Sequence, residues 1–376
     1  MPRPIHVFTL VVSLGLVACS SPGNVGGPDG GGGVDGAANQ DLAHQPIPDG
    51  GTPAGWLYTS GSKIYVSGGS TTTPWVGRGV NIDDLFFCGH NYQLTDSGAE
   101  ATYQAMLSGL MTDWKPTFLR LSLGMASYPT EPSWTTNPAQ YKTPMTNIIN
   151  TIGTHPNTYV LVSLRSHASM ILQDTTHGDA EATGIPSDST TSPNKTTYPT
   201  GTDAMYIALV DTFANSSFVL FGLTNEPGGN LRDDTVIAAA MSHAVGVIRA
   251  EEDKLGVPHH LVSVQGNNWT SSIGYYSTHP IPYDNVVYEV HGYPPSTASY
   301  TYVNLPVIIG EYGTLDSTSA PAFYADLESK KIPNLAWDFE PYSNCSPDLI
   351  DVNAVPPSSL TPTDWGKLVK AYLLAH

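Results

Sequence analysis

The stretch FVLFGLTNEPGGN, from Phe218 to Asn230, decides the fold. Its first six residues are apolar apart from one glycine, which is typical of a parallel strand that is covered on both faces. The pattern then breaks into Asn225, Glu226 and Pro227, followed by two glycines. Asn, Pro and Gly end strands in any fold, so this stretch alone requires no more than a strand terminator. The Glu226 carboxylate indicates a functional site only if other strands also end in polar residues.

Seven further apolar runs accompany this strand, and longer amphipathic stretches separate most of them. The strand predictions are Arg78–Ile82, Phe118–Leu123, Tyr159–Leu164, Phe218–Leu223, Leu261–Val264, Val286–Val290, Val307–Ile309 and Leu335–Trp337. The helix predictions are Ala99–Leu110, Met145–Ile152, Asp203–Phe213, Asp234–Ala250, Ala320–Leu327 and Trp365–Leu374, and the helices after the fifth and sixth strands are weak.

Eight such alternations over about 300 residues predict an α/β protein with a closed (β/α)8 TIM barrel, for which about 250 residues is typical. An open doubly wound sheet is the alternative, although no Gly-rich phosphate fingerprint follows the first strand. Two short β-rich runs around Gly61, within Trp56–Val66, predict a β-hairpin before the barrel.

The N-terminal region predicts export. Residues 1–19 form a signal peptide with a positive start at Arg3 and an apolar run, and they end in LVAC at Cys19. This ending resembles the bacterial lipobox, in which the Cys is lipidated; a plain secretory signal is the alternative. Residues 20–53 are rich in Gly, Pro and Asp and predict a disordered linker, so residues 54–376 hold the catalytic domain. We therefore expect an envelope-anchored lipoprotein whose barrel lies outside the cytoplasm.

The charge balance excludes some partners. The chain of 376 residues carries a net charge of -18, with 33 carboxylates against 15 Lys and Arg. Nucleic acids and anionic lipid head groups require a basic face, so neither is an expected partner, and membrane contact is expected only through the lipid anchor. We expect a monomer that needs no cofactor and no metal.

Polar and aromatic residues follow nearly every predicted strand, as chemistry at the C-terminal face of a barrel requires. They include Arg120 on the second strand, Asn225 and Glu226 after the fourth, His291 and Tyr293 after the sixth, Glu311 after the seventh and Trp337 on the eighth. A purely structural barrel would not need this recurrence.

These residues resemble glycoside hydrolase family 5, the cellulase family of retaining (β/α)8 glycosidases, from about Trp56 to the C-terminus. The motifs are TNEP, VHGY, IIGEYG and the strand-eight Trp. The resemblance implies a double displacement with Glu226 as acid/base and Glu311 as nucleophile, because a retaining enzyme uses two carboxyls about 5–5.5 Å apart. Their mutual repulsion should keep Glu226 protonated near neutral pH.

The resemblance also implies roles for the neighbouring residues. Arg120 would hold the nucleophile ionised, Asn225 would bind a sugar hydroxyl, and Tyr293 would hydrogen-bond the nucleophile. His291 matches the His that the family carries on the same strand, and Trp337 would form the floor of the subsite that binds the reacting sugar. The match of His167 is weaker, since Arg165-Ser166 precedes it where family members often carry Asp-x. Trp269 and Asp83 are further subsite candidates.

Two features lie beyond the family pattern. Cys88 follows strand one and Cys345 follows strand eight. Because these two strands are neighbours in a closed barrel, we predict a Cys88–Cys345 disulfide. Two unpaired thiols are the alternative. Residues 173–201 form a long polar stretch after strand three and predict a wall of the cleft.

The substrate stays open at this level. We expect endo-action on a β-1,4-linked polysaccharide of the glucan, mannan or xylan class. The competing hypothesis is a surface carbohydrate-binding lipoprotein whose barrel has lost catalysis. An esterase is not supported, since the chain has no Gly-x-Ser-x-Gly nucleophile elbow.

Overall fold

The computed structural model describes residues 55–85, 99–124, 134, 138–165, 200–227, 234–297, 304–339, 346–351 and 360–376. The predictions for the signal peptide, the linker and the 173–201 stretch therefore lie outside the described residues, apart from residues 200 and 201. Among the helices in the described part of the chain, none is both long enough and apolar enough to span a bilayer.

The fold is a closed barrel of eight parallel strands, preceded by an antiparallel hairpin. The hairpin strands are β1 (Leu57–Ser60) and β2 (Lys63–Val66). The barrel strands are β3 (Arg78–Ile82), β4 (Phe118–Gly124), β5 (Tyr159–Arg165), β6 (Val219–Gly222), β7 (Val262–Gln265), β8 (Val286–Gly292), β9 (Val307–Tyr312) and β10 (Asn334–Ala336). Each pairs with the next in chain order, and β10 pairs with β3 to close the barrel. The predicted TIM barrel and hairpin are both confirmed.

Helices connect most of these strands. They are α1 (Ala99–Gly109), α2 (Pro138–Gly153), α3 (Thr200–Phe213), α4 (Asp234–Leu255), α5 (Ala320–Lys330) and α6 (Asp364–Ala375). A π-helical turn, Leu110–Trp114, extends α1. A short 3-10 helix, Gly274–Ser277, follows β7, and residues 293–297 and 304–306 between β8 and β9 contain no helix. The two connections with weak helical sequence are thus the two without an α-helix in their described residues.

The observed elements differ from the predicted bounds at their ends. Helix α2 begins at Pro138, seven residues before the predicted Met145, since Pro is tolerated in the first turn of a helix, and Pro144 lies inside it. Strands β8 and β9 extend past their apolar runs to Gly292 and Tyr312. These extensions hold the polar residues His291 and Glu311, which apolar patterning alone places outside a strand.

The barrel interior changes from apolar to polar along the strands. A cluster at one level joins residues of the hairpin and the barrel: Leu57, Ile64, Phe118, Tyr159, Leu161, Leu220, Leu261, Val287, Ile308 and Leu335. Side chains return to the same side of a strand every two residues, so the next level holds the buried polar residues Arg120, Ser163, Ser263 and Glu289. Asn81, which pairs with Arg120 across β3 and β4, lies at the same level. The hairpin therefore closes the apolar end, and the polar level supports the opposite end.

Candidate active site

Glu226 follows β6 in an unusual backbone conformation. Its φ is 52°, in the left-handed region, which a non-Gly residue occupies at a conformational cost. Its backbone N–H donates to Oε1 of Gln265 on β7 at 2.6 Å, and Thr270 Oγ1 donates to the same oxygen at 3.1 Å. The Gln265 side chain thus holds the turn that presents the Glu226 carboxyl, whose side chain remains 16% exposed.

Glu311 lies near the end of β9, and a β-bulge sets its position. Val290 pairs with Ile309, but His291 pairs with Glu311, so Gly310 is an extra residue on β9. A bulge re-aims the side chains that follow it, and bulges are frequent beside active sites. The bulge therefore brings Glu311 and His291 into register across neighbouring strands.

Arg120 connects the polar groups beneath the two carboxyls. Its side chain is fully buried, and its Nη1 donates to Glu311 Oε1 at 2.8 Å and to Asn81 Oδ1 at 3.0 Å. Nη2 donates to Asn225 Oδ1 at 2.6 Å, and Nε lies 3.0 Å from Glu289 Oε1. The planar guanidinium fixes two carboxylates and two amides at defined angles, which the single ammonium of Lys cannot do.

His291 and Tyr293 complete the contacts to the two carboxyls. His291 Nδ1 lies 2.8 Å from Glu226 Oε1 and 3.5 Å from Glu311 Oε2. The Tyr293 hydroxyl donates to Glu311 Oε2 at 3.2 Å. One oxygen of Glu226, one of Glu311 and one ring nitrogen of His291 all lie within 4.8 Å of one another. The residues predicted from strands two, four, six and seven therefore meet in one cluster.

The cluster shifts the ionisation of its members. Burial raises the pKa of Glu311, and the charges of Glu226 and Glu289 act in the same direction, while His291 and Arg120 oppose them. Burial would lower the pKa of His291, but Glu311, Glu226 and Glu289 raise it to about 9. Arg120 thus favours the ionised form of Glu311, against burial and two neighbouring carboxylates, and its role in holding the nucleophile ionised stays a prediction.

The predicted aromatic and acidic subsite residues occupy different environments. Trp337 is partly buried beyond β10, and its carbonyl accepts a hydrogen bond from Trp365 Nε1 at 2.9 Å. Trp269 is 38% exposed in the turn after β7. Asp83 is 1% exposed, which favours an electrostatic influence on Arg120 over direct contact with a sugar. Subsite roles for Trp337 and Trp269 stay predictions.

Four predicted residues lie outside the described residues: Cys19, Cys88, His167 and Cys345. The lipidation, the disulfide and the substrate contact proposed for them therefore stay predictions.

Sequence reasoning assigned no role to two residues that hold this site. Gln265 fixes the backbone of Glu226, and Glu289 contacts both Arg120 and His291. The signal for Glu289 was a charged residue inside the apolar run VVYEVHG. A buried charge requires partners, and Arg120, the partner that neutralises Glu289, lies on β4, far from β8 in sequence.

The ligand atoms of Glu226, His291 and Glu311 are close enough to hold a metal ion by distance alone. However, the two ring nitrogens of His291 already face Glu226 and Glu289, and Arg120 faces Glu311. His291 and Arg120 therefore balance the charge of these carboxylates, and we interpret the cluster as an ion-pair network.

Solved structures with the same fold include several glycosidases. The catalytic domain of Thermobifida fusca endoglucanase Cel5A is 17% identical, with a TM-score of 0.62 over 85% of this chain and 98% of that chain. The β-glucanase SdGluc5_26A from Saccharophagus degradans, solved with cellotetraose, is 18% identical, with a TM-score of 0.62 over 90% and 99%. At these identities the likeness shows the fold alone. No curated protein matches the chain.

The sequence model described as "Cellulase (glycosyl hydrolase family 5)" matches residues 81–343 of the 376. This range includes β3 to β10 except the first residues of β3, together with both carboxyls of the cluster. The chain therefore belongs to the cellulase family, glycosyl hydrolase family 5.

Proposed function

We propose that this protein is a retaining β-glycosidase in which Glu226 is the acid/base and Glu311 the nucleophile. Glu311 would attack the anomeric carbon while Glu226 gives its proton to the leaving oxygen, and water would then release the glycosyl group with Glu226 as base. Arg120 and Tyr293, which both donate to Glu311, would orient its two oxygens for attack.

The observation that carries this proposal is the separation of the two carboxyls. Oxygens of Glu226 and Glu311 approach within 4.8 Å. Carboxyls in retaining enzymes lie about 5–5.5 Å apart, whereas inverting enzymes need about 6.5–9.5 Å to admit a water molecule. A covalent intermediate on Glu311 is therefore favoured over a single displacement by water.

The substrate class is proposed from the neighbours and from the family. Two of the similar structures are an endoglucanase and a β-glucanase, the latter solved with cellotetraose. We infer a β-1,4-linked glucan as the substrate and endo-action as the mode of cleavage. Family and fold do not fix loop shapes, so β-mannan and xylan are the comparison substrates in the test.

The test measures reducing ends released from β-1,4-glucan, β-mannan and xylan by the full chain and by Glu226→Gln and Glu311→Gln. We expect turnover highest on glucan and a loss of at least about 10³-fold in kcat in both variants, since nucleophile and proton donor act as a unit. Proton NMR of the first product formed should show the β-anomer.

Glu100→Gln is the matched control, because Glu100 lies in the first turn of α1 and its carboxylate accepts a hydrogen bond from Asn147 Nδ2 at 3.0 Å, outside the cluster of Glu226 and Glu311. It should retain full activity. A first product with the α-anomer would contradict the double displacement. Binding of glucan without any turnover by the wild-type chain would instead support the carbohydrate-binding hypothesis.

We further propose that the chain is lipidated at Cys19 and acts at the cell envelope, supported only by the N-terminal sequence pattern. Metabolic labelling with a palmitate analogue should mark the wild-type chain and leave Cys19→Ser unlabelled. Equal labelling of the two chains would contradict this proposal.

A further inference from the structure

A third carboxylate lies beneath the two that the proposed function uses. Glu289 on β8 is fully buried in the barrel interior. Its Oε1 lies 3.0 Å from Arg120 Nε and 3.0 Å from His291 Nε2, and its Oε2 accepts a hydrogen bond from Ser263 Oγ at 2.6 Å. Burial would raise the pKa of Glu289, but Arg120, His291 and Ser263 lower it to about 2. Arg120 and the Ser263 hydroxyl therefore hold Glu289 as a carboxylate near neutral pH.

The backbone beside the nucleophile makes room for this carboxylate. A Cβ atom on Gly310 would lie 1.9 Å from Glu289 Oε1 and 2.5 Å from its Cδ. No side chain fits at position 310 while Glu289 keeps its place. The glycine that precedes Glu311 thus allows an anion to sit directly under the catalytic pair.

The two ring nitrogens of His291 face different carboxyl groups. Nε2 faces Glu289 and Nδ1 faces Glu226. A neutral imidazole carries one N–H, and an imidazolium carries two. Because Glu289 is ionised and can only accept, Nε2 must carry a proton in either state. The second proton then lies between Nδ1 and the Glu226 carboxyl.

We propose that Glu289 is a positioning residue that fixes the Nε2 proton of His291, so that Nδ1 and Glu226 share one exchangeable proton. This inference rests on the proposed role of Glu226. In the resting state the proton lies on Nδ1 or on Glu226 Oε1, and its transfer breaks one N–H bond and forms one O–H bond. When Glu226 protonates the leaving oxygen, the pair has lost that proton, and the activated water returns one in the second half-reaction.

The charged groups around the shared proton determine its pH dependence. His291 is faced by Glu226 from the end of β6, by Glu289 on β8 and by Glu311 on β9, and Arg120 on β4 contacts the last two. Removing the Glu289 charge removes one anion that stabilises the shared proton. The pair should then lose this proton at lower pH, which moves the alkaline limb of activity downward.

The first measurement follows the ring nitrogens directly. The full chain is labelled with 15N-histidine, and the signals of His291, one of 12 His residues, are assigned with His291→Asn. In the wild type we expect two protonated ring nitrogens at pH 7, loss of one proton near pH 9, and the remaining proton on Nε2. A remaining proton on Nδ1 would overturn the proposal without any variant.

The second measurement compares Glu289→Gln with the wild type. We expect the His291 transition and the alkaline limb of kcat to move down by at least about one pH unit. We also expect kcat to fall about 10–100-fold, a part of the about 10²–10⁴-fold that general acid catalysis supplies. KM should stay within about threefold because Glu289 is fully buried in the barrel interior. An unshifted limb would overturn the proposal.

The chain contains a matched control for a purely structural effect. Glu252 on α4 is also fully buried between an Arg and a His: Oε2 accepts from Arg249 Nη1 at 2.5 Å, and Oε1 lies 2.7 Å from His260 Nδ1. Glu252→Gln should lower the melting temperature as Glu289→Gln does, yet leave the pH profile unchanged. If both variants shift the alkaline limb equally, the effect is structural and the proposal is wrong.

Glu289→Asp serves as the conservative variant because it keeps the charge on a shorter side chain. It should restore most of the alkaline limb, and its failure to do so with a folded protein would contradict the proposal. If the wild type hydrolyses none of the three glycans, the proposed function fails, and the nitrogen titration still decides the position of the proton.

Discussion

Gly310→Ala should destabilise the protein because the new methyl group would overlap Glu289. The Cβ would lie 1.9 Å from Glu289 Oε1, and ordinary contacts begin at 3.4 Å. The neighbouring backbone of β9 is paired on both sides, by β8 and by β10, so the carboxylate must move. Its displacement weakens the 3.0 Å contacts to Arg120 and His291.

The magnitude follows from two effects. Overpacking a core costs about 1–3 kcal/mol, and breaking a buried ion pair costs about 3–5 kcal/mol when one partner is left unpaired. Arg120 keeps its contact with Glu311, so only part of the second cost applies. We expect a loss of about 3 kcal/mol in the free energy of unfolding, which corresponds to about 4–5 °C in the melting temperature of a domain of about 320 residues, at about 2.1 cal/mol/K of unfolding entropy per residue.

The assay is a double-mutant cycle by calorimetry on wild type, Gly310→Ala, Glu289→Ala and the double variant. If the clash with Glu289 is the cause, Gly310→Ala should cost less than about 1 kcal/mol in the Glu289→Ala background, and the coupling energy should be at least about 2 kcal/mol. An equal cost in both backgrounds would refute the reasoning.

Gly292→Ala provides the matched control on the neighbouring strand. The nearest atom to its added Cβ is Pro295 Cα at 3.6 Å, an ordinary contact. We expect its melting temperature to stay within about 2 °C of the wild type, since substitutions without such a mechanism change stability by about 0.5 kcal/mol or less. A loss equal to that of Gly310→Ala would show that any side chain in these strand ends is unfavourable.

Three further predictions concern ionisation and hydrogen bonding in the cluster. The raised pKa of His291 contributes stability that is present below the usual pKa of His and is lost as pH rises through about 9. The melting temperature of the wild type should therefore exceed that of His291→Asn by less at pH 10 than at pH 7. A difference that stays constant over this range would contradict the prediction. Because burial raises the pKa of Glu311, the acidic limb of kcat/KM should lie above the usual range of a Glu, and a limb within or below that range would count against it. Tyr293→Phe removes a hydrogen bond to a charged oxygen, worth about 1.5–3 kcal/mol, so kcat/KM should fall about 10–100-fold. The control is Tyr283→Phe, which should retain full activity because Tyr283 is 40% exposed. Equal effects of the two substitutions would contradict the role proposed for Tyr293.

Much of the fold was predictable because a parallel barrel strand is a local pattern. All eight barrel strands were predicted from short apolar runs, and the strand Arg78–Ile82 was predicted with the bounds that the structure shows. The predicted ends of the strands were less accurate because the residue at which a strand ends depends on its pairing with neighbouring strands. Strand β9 continues past Ile309 to Tyr312 because β8 pairs with Glu311 and Tyr312, and β10 pairs with Tyr312.

The sequence by itself determined the alternation of strands and helices, the barrel, and the strand ends that carry Glu226 and Glu311. These follow from apolar periodicity and from residue types at fixed positions, which are local properties. Only the tertiary structure decided which groups meet beneath them. The contacts of Glu289 with Arg120, His291 and Ser263 join three strands through the closed barrel, and the bulge at Gly310 sets Glu311 opposite His291. A charge inside an apolar strand requires a partner, but only barrel closure and register determine which residue that partner is.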